Sequence, residues 1–140
     1  MSVATRRAIY GKLAGDTTLT AMLGTAAPGY TKSLYYQQAP EKAGFPYVIF
    51  SKQSSVPRYA LASKMMDNDL WLIKAVDRSD TADTADNIAS RLDALLTDAT
   101  LSISGKTQLY LRRESDVDYP ENADGVVYHH AGSLFRLIYE

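Results

Sequence analysis

One short segment near the middle of the chain restricts the possible folds more than any other. Residues 70–76 read Leu-Trp-Leu-Ile-Lys-Ala-Val, so apolar side chains occupy both odd and even positions. Side chains of a β-strand alternate between the two faces of its sheet, so such a strand needs cover on both faces. The segment therefore predicts a central strand over residues 66–77. Residues 47–52 predict a second strand that begins with apolar side chains on both faces.

Helical periodicity occurs in three places. Ser2 is placed to cap a helix that runs to about Ala14, and Asp16 to cap a shorter one that ends at Gly24. The strongest pattern covers residues 80–96, whose apolar side chains fall within about 120° of arc at ~100° per residue. That spacing predicts one long amphipathic helix lying on a sheet.

The remaining elements complete an α+β pattern. Further β segments are predicted at residues 34–37, 101–115 and 126–139. We expect a break near Gly105, a bulge at Gly132 and an acidic turn over residues 116–125, while residues 53–63 form a polar connection or an extended hairpin. The element order predicts a single α+β domain over residues 1–140. Its mixed, largely antiparallel sheet carries the long helix and the N-terminal helix pair on one face.

Composition excludes several functional classes. The chain has 140 residues, no cysteine and a net charge of −1, which excludes disulfides and thiolate metal sites and suits a reducing cytoplasm. Its basic residues are scattered, so composition does not predict tight generic binding to nucleic acid. No run of 18 apolar residues and no signal-peptide pattern occurs, so we expect no membrane partner.

Residues that could carry chemistry are few and are better explained as structural. His129 and His130 are adjacent, and on a strand they point to opposite faces and cannot share one metal ion. Asp67 and Asp69 lie on one face of a strand, but no third ligand follows at a metal-binding spacing. Asp116 and Asp118, and the Gly-Lys-Thr at residues 105–107, likewise lack the remainder of a site. The sequence predicts no catalytic, metal or cofactor site.

The predicted helices can cover only one face of a sheet whose central strands are apolar on both. Large exposed apolar surfaces mark interaction sites, so a second copy of the chain is the expected cover for the other face. Residues 53–63 would supply an extension that reaches the neighbouring copy. The candidate subunit-interface residues are Arg58 and Tyr59 in that extension, together with Tyr47 and Ile49 in the apolar strand. Trp71, in the middle of its strand, is expected to lie in the core.

The order of several segments resembles the tail-terminator, or tail-completion, proteins of long-tailed bacteriophages. The resemblance rests on residues 35–51, 16–24, 76–79, 88–96 and 134–139. It implies a structural protein of the virion, assembled in the host cytoplasm, that forms a hexameric ring at the head-proximal end of the tail tube. Such a ring stops tube polymerisation and binds the tail tube protein and the head-tail connector (neck) proteins. DNA passes through the ring without specific binding.

Three other functions remain open from the sequence. Another head-tail connector, such as a head-completion or stopper protein, would have the same general character. A small α+β enzyme would use a carboxylate pair such as Asp67 and Asp69. A nucleic-acid-binding module would show DNA binding that weakens steeply with salt.

Overall fold

The computed structural model describes residues 3–140, which form three helices and one five-stranded sheet. The helices are α1 (Val3–Ala14), α2 (Thr17–Ala21) and α3 (Asp83–Leu96), and the strands are β1 (Leu34–Tyr36), β2 (Tyr47–Ala60), β3 (Ser63–Asp77), β4 (Gln108–Ala123) and β5 (Val126–Tyr139). The strand order is β1-β2-β3-β5-β4, and only β1 and β2 run parallel. The predicted α+β fold with a mixed, largely antiparallel sheet is confirmed.

The helices pack on one face of the sheet. On that face, β2 and β3 contribute Val48, Phe50, Trp71 and Ile73, all essentially inaccessible to solvent. The buried residues of α3 follow helical spacing and are Ala85, Ile88, Leu92 and Leu96. Trp71 is only 1% exposed, so its prediction as a core residue is confirmed.

A capping residue also holds the helical layer together. The Asp16 carboxylate accepts a hydrogen bond of 2.9 Å from the Leu19 amide at the start of α2, as the sequence predicted. The same carboxylate pairs with the Arg91 guanidinium of α3 through contacts of 2.7 and 2.8 Å. These bonds hold the pKa of Asp16 below its ordinary value. The predicted cap at Ser2 lies outside the described residues.

None of the helices described within residues 3–140 lies on the opposite face of the sheet. Tyr35 of β1 is buried on it beneath Tyr30, whose ring lies 5.0 Å away, and Tyr35 accepts a hydrogen bond from the Ala27 amide. The loop between α2 and β1 and the loop between β1 and β2 therefore cover one end of this face. Beyond that end, Leu72 and Leu134 remain partly exposed. We call this surface the helix-free face.

Three local predictions are wrong. Residues 101–107 are irregular, and β4 begins only at Gln108. The expected acidic turn at residues 116–125 is mostly strand, because β4 pairs with β5 as far as the Ala123–Val126 pair. Ladder hydrogen bonds with β5 outweigh the polar composition of this segment.

Gly132 does not form the predicted bulge, because the β3–β5 register runs through it without a shift. A Cβ placed there would come 2.2 Å from the Ile73 carbonyl oxygen. Glycine therefore permits β5 to approach β3 closely at this point.

Candidate subunit interface

Carboxylates that could have formed an acid/base pair are held by the chain's own side chains. Asp69 is fully buried and accepts hydrogen bonds from Ser55 (2.6 Å) and the Trp71 indole (3.4 Å), with the Lys52 ammonium 3.5 Å away. Asp67 pairs with Lys64 at 3.0 Å. This network joins β2 to β3 where the hairpin leaves the sheet, so its geometry indicates a structural role.

The two histidines do not share an environment. The His130 ring stacks on Tyr119 at 4.5 Å, and its Nε2 lies 2.9 Å from the Glu121 carboxylate. Burial lowers the pKa of His130, and its Nδ1 has no hydrogen-bond partner among the described residues. His129 instead lines a surface cavity with Arg78. Within residues 3–140, no cluster of three or more His, Cys, Asp or Glu side chains could hold a metal ion.

The β2–β3 hairpin continues beyond the sheet as an exposed extension, residues 53–65, which we call the arm. Every residue of the arm is exposed. Beyond the Asp67–Tyr139 pair, β3 has no β5 partner, so the outer arm is only two strands wide. Two-stranded hairpins without further cover are marginally stable in water. Among the described residues, the arm therefore has no third strand and no helix packed against it.

Apolar side chains are concentrated on this arm. Tyr59 is 66% exposed and Leu61, in the turn at the tip, is fully exposed. Leu61 also has a φ of +52°, in the left-handed region that glycine and asparagine adopt more readily. A long aliphatic residue such as leucine is unusual in that conformation, and within residues 3–140 its side chain stays fully exposed.

The other two predicted interface residues lie at the opposite end of β2, on the helix-free face. Tyr47 packs against Phe45 and Tyr35, with ring centres 5.0 and 5.7 Å away, and burial raises its pKa. Ile49 is partly exposed opposite Lys74 of β3. The structure therefore groups the four residues as two pairs, Tyr47 with Ile49 and Arg58 with Tyr59. The pairs are separated by about 30 Å of strand.

Two surface grooves were not predicted from the sequence. One, of about 260 Å³, lies between α1 and β1, with an apolar floor and two arginines; its lining includes Arg6, Arg7, Tyr10, Leu34, Tyr36 and Phe50. The other, of about 290 Å³, lies between α3 and β4 and is acidic; its charged residues are Asp86, Asp93, Arg113, Asp116 and Asp118. The Arg6-Arg7 dipeptide was the one sequence signal, but only the fold places it beside the edge strand.

No described helix is both long and apolar enough to span a bilayer. Comparison with curated proteins gives no significant match. Among solved structures, a chain from the virion of a native gene transfer agent particle aligns with a TM-score of 0.77 and 18% identity, over 96% of this chain and 93% of that one. A second solved structure aligns with a TM-score of 0.53 and 18% identity, over 99% and 94%. At this identity the likeness shows a shared fold.

The family comparison covers nearly the whole chain. A family model described as tail completion protein gp17 matches residues 7–140. The resemblance seen in the order of segments is therefore confirmed. The chain belongs to the tail completion protein gp17 family and is a structural protein of a bacteriophage tail, located in the virion.

Proposed function

We propose that six copies of this chain form a closed ring that ends the tail tube at its head-proximal end. The ring stops further addition of tube protein and offers the neck proteins a surface on which to dock. Membership of the tail completion family supports this role. The role is structural, and no residue of the chain is assigned to catalysis.

The main support for the proposal is the exposed, left-handed leucine at the tip of the arm. A left-handed backbone costs a non-glycine residue roughly 1–2 kcal/mol, and exposing a leucine gives nothing back to the fold. Leu61 has both properties. The monomer gains nothing from a leucine at this position, whereas a neighbouring subunit would gain an apolar anchor. The arm therefore acts as the part of each copy that holds the next copy.

Arg58 and Tyr59 lie on the same arm and would enter the same contact. Tyr can bury its ring while its hydroxyl keeps a hydrogen bond, and Arg forms directed pairs with carboxylates. Both residue types are enriched at the energetic centres of interfaces. Arg58 forms no ion pair within residues 3–140, so its charge is available to a partner.

Tyr47 and Ile49 would supply a second contact on the helix-free face. Their neighbours Leu72 and Leu134 are partly exposed there, so the surface is apolar without being fully open to water. A neighbouring subunit or the tail tube protein would complete its burial. DNA would pass through the ring without specific binding, since a net charge of −1 gives the chain little general attraction for phosphates.

Electron microscopy of the purified chain, alone and mixed with tubes of tail tube protein, tests the proposal. The wild type is expected to form six-fold rings and to sit at one end of each tube, which then stops growing. Leu61→Asn keeps a residue that tolerates the left-handed turn but removes the apolar anchor, so rings and capped ends are expected to be lost. Val127→Ser, an exposed apolar residue of the β4–β5 hairpin, is the matched control and should leave both intact.

Two results would contradict the proposal. One is a wild-type chain that forms no rings and leaves tubes growing at both ends. The other is Leu61→Asn rings that form as readily as those of the wild type. Binding to portal-side proteins with no affinity for tubes would instead favour a stopper or head-completion role.

A further inference from the structure

Charge is distributed very unevenly along this chain. Residues 1–66 contain eight Lys and Arg and only two acidic residues, whereas residues 67–140 contain seven Lys and Arg and fourteen acidic residues. The first part has a net charge of +6 and the second a net charge of −7, which together give the overall −1. Near-neutrality of the whole chain therefore conceals two strongly charged parts.

The fold separates these two parts in space. The strand order β1-β2-β3-β5-β4 places β1 and β2 at one edge of the sheet and β4 at the other. Helix α1 packs against β1, and α3 packs against β3, β5 and β4. The positive part of the sequence therefore forms one edge of the molecule, and the negative part forms the opposite edge. Opposite charges at the two edges favour head-to-tail contact between two copies, because the positive edge of one copy attracts the negative edge of the other.

The positive edge holds an apolar groove between α1 and β1. Its floor includes Leu34, Tyr36 and Phe50. The Arg6 guanidinium lies 4.7 Å from the centre of the Tyr36 ring, and Arg7 is exposed beside it. Neither arginine forms an ion pair within residues 3–140. The groove thus combines apolar surface with two uncompensated positive charges.

The negative edge offers the complementary surface. Along β4, the side chains of Leu109, Tyr110 and Tyr119 are exposed. Asp118 on β4 and Asp86 on α3 face the groove between these two elements, and neither carboxylate has an ion-pair partner in the described part of the chain. Val117 of β4 and Ala89 of α3 line the same groove, so apolar surface lies beside these unpaired carboxylates and matches the chemistry of the α1–β1 groove.

We propose that the α1–β1 groove of one copy receives the acidic β4 edge of the next copy, with Arg6 and Arg7 facing Asp86 and Asp118. The contacting surfaces differ, so the interface is heterologous. Every copy carries one of each, and successive copies therefore close into a ring or continue as a filament. This inference rests on the proposed ring and specifies which surfaces join its subunits.

Exchanging the charges tests this inference. The double variants Arg6→Glu/Arg7→Glu and Asp86→Lys/Asp118→Lys each place like charges across the interface, so each alone is expected to lose the ring in native mass spectrometry. Lys42→Glu/Lys106→Glu changes the net charge as much as the first variant but at exposed positions away from both grooves. This control is expected to assemble like the wild type.

Mixing the two charge variants gives the decisive readout, because the reversed groove of one variant then faces the reversed edge of the other, with opposite charges. The mixture is expected to regain the ring, with the two variants present in equal numbers and in alternation. Recovery also shows that both variants are folded. If both variants form the wild-type ring on their own, or if the mixed ring has a random composition, the proposed edge pairing is wrong while the proposed ring stands. A wild-type chain that never assembles would contradict both.

Discussion

The molecule has two long β-hairpins that leave its sheet at opposite ends, and their turns differ in kind. The β4–β5 hairpin turns at Asp124-Gly125, with φ values of +52° and +77°. Aspartate and glycine are the residues that such a turn favours. The β2–β3 hairpin turns at Leu61-Ala62, and Leu61 also has a positive φ. One hairpin follows the local rules of turn formation, whereas the other departs from them.

This difference indicates what each hairpin does. The β4–β5 hairpin carries ordinary turn residues and a buried, stacked His130, so the conformation of its turn follows from local rules. The arm has an unfavourable turn residue, exposed apolar side chains and no third strand. Departures from local sequence rules concentrate at functional sites, so the arm is where a partner is expected. Four changes test the contrast.

The largest effect on stability is expected at the root of the arm. Asp69→Ala would leave Ser55, Trp71 and Lys52 without their shared buried acceptor. We expect the free energy of unfolding to fall by about 3 kcal/mol in urea denaturation followed by circular dichroism. Asp67→Ala removes the neighbouring, partly exposed pair with Lys64 and should cost below about 1 kcal/mol. Equal losses would mean that the buried network does not anchor the arm.

A smaller loss is expected in the β4–β5 turn. Gly125 has a φ of +77°, so Gly125→Ala should lower the free energy of unfolding by about 1 kcal/mol through backbone strain. The control is Gly11→Ala within α1, where the added methyl group would meet no heavy atom within 4 Å beyond its chain neighbours and the helix's own backbone. That change should stabilise the protein by up to about 1 kcal/mol. If both substitutions change the free energy of unfolding in the same direction, the turn does not depend on the left-handed conformation of Gly125.

The two hairpins should also respond differently to pH. Burial holds the pKa of His130 below its ordinary 6.5, so the folded state favours the neutral ring. As the pH falls, the unfolded chain therefore binds a proton at this histidine before the folded chain does. The stability that is present above pH 6.5 is lost as the pH falls below that value. The arm contains no Asp, Glu or His. Hydrogen exchange, corrected for its intrinsic pH dependence, should therefore quicken in residues 126–131 but not in the arm; equal responses would contradict the account.

The smallest effect on stability, and the largest on assembly, is expected at the arm tip. Leu61→Asn relieves left-handed strain and removes no buried contact, so the free energy of unfolding should change by at most about 0.5 kcal/mol. Thermal denaturation at concentrations where the wild type is dissociated measures this. A large destabilisation would show that Leu61 supports the fold of its own chain, and the contrast between the hairpins would fail.

Patterns that depend on the core were predictable from the sequence. The strands over residues 47–52 and 66–77, the burial of Trp71 and the cap at Asp16 follow from side-chain periodicity and local hydrogen bonding. The start of the long helix was predicted three residues too early, because α3 begins at Asp83 rather than at residue 80.

Features that depend on the assembled sheet could not be predicted. The outer half of β4 is polar and contains Pro120, so its composition indicates a turn, whereas β5 supplies the ladder that makes it a strand. The Arg6-Arg7 dipeptide looks like one of several scattered basic pairs until α1 places it beside β1. The opposed charges of the two sheet edges likewise become visible only when the strand order is known.

The central claim is that this chain assembles with itself, and native mass spectrometry of the wild type beside Leu61→Asn tests it most directly. Both proteins are measured over the same dilution series, without any other tail component. We expect a closed species with six times the mass of one chain for the wild type and a monomer for the variant. A wild type that remains monomeric at every concentration, or a variant that assembles equally well, would contradict it.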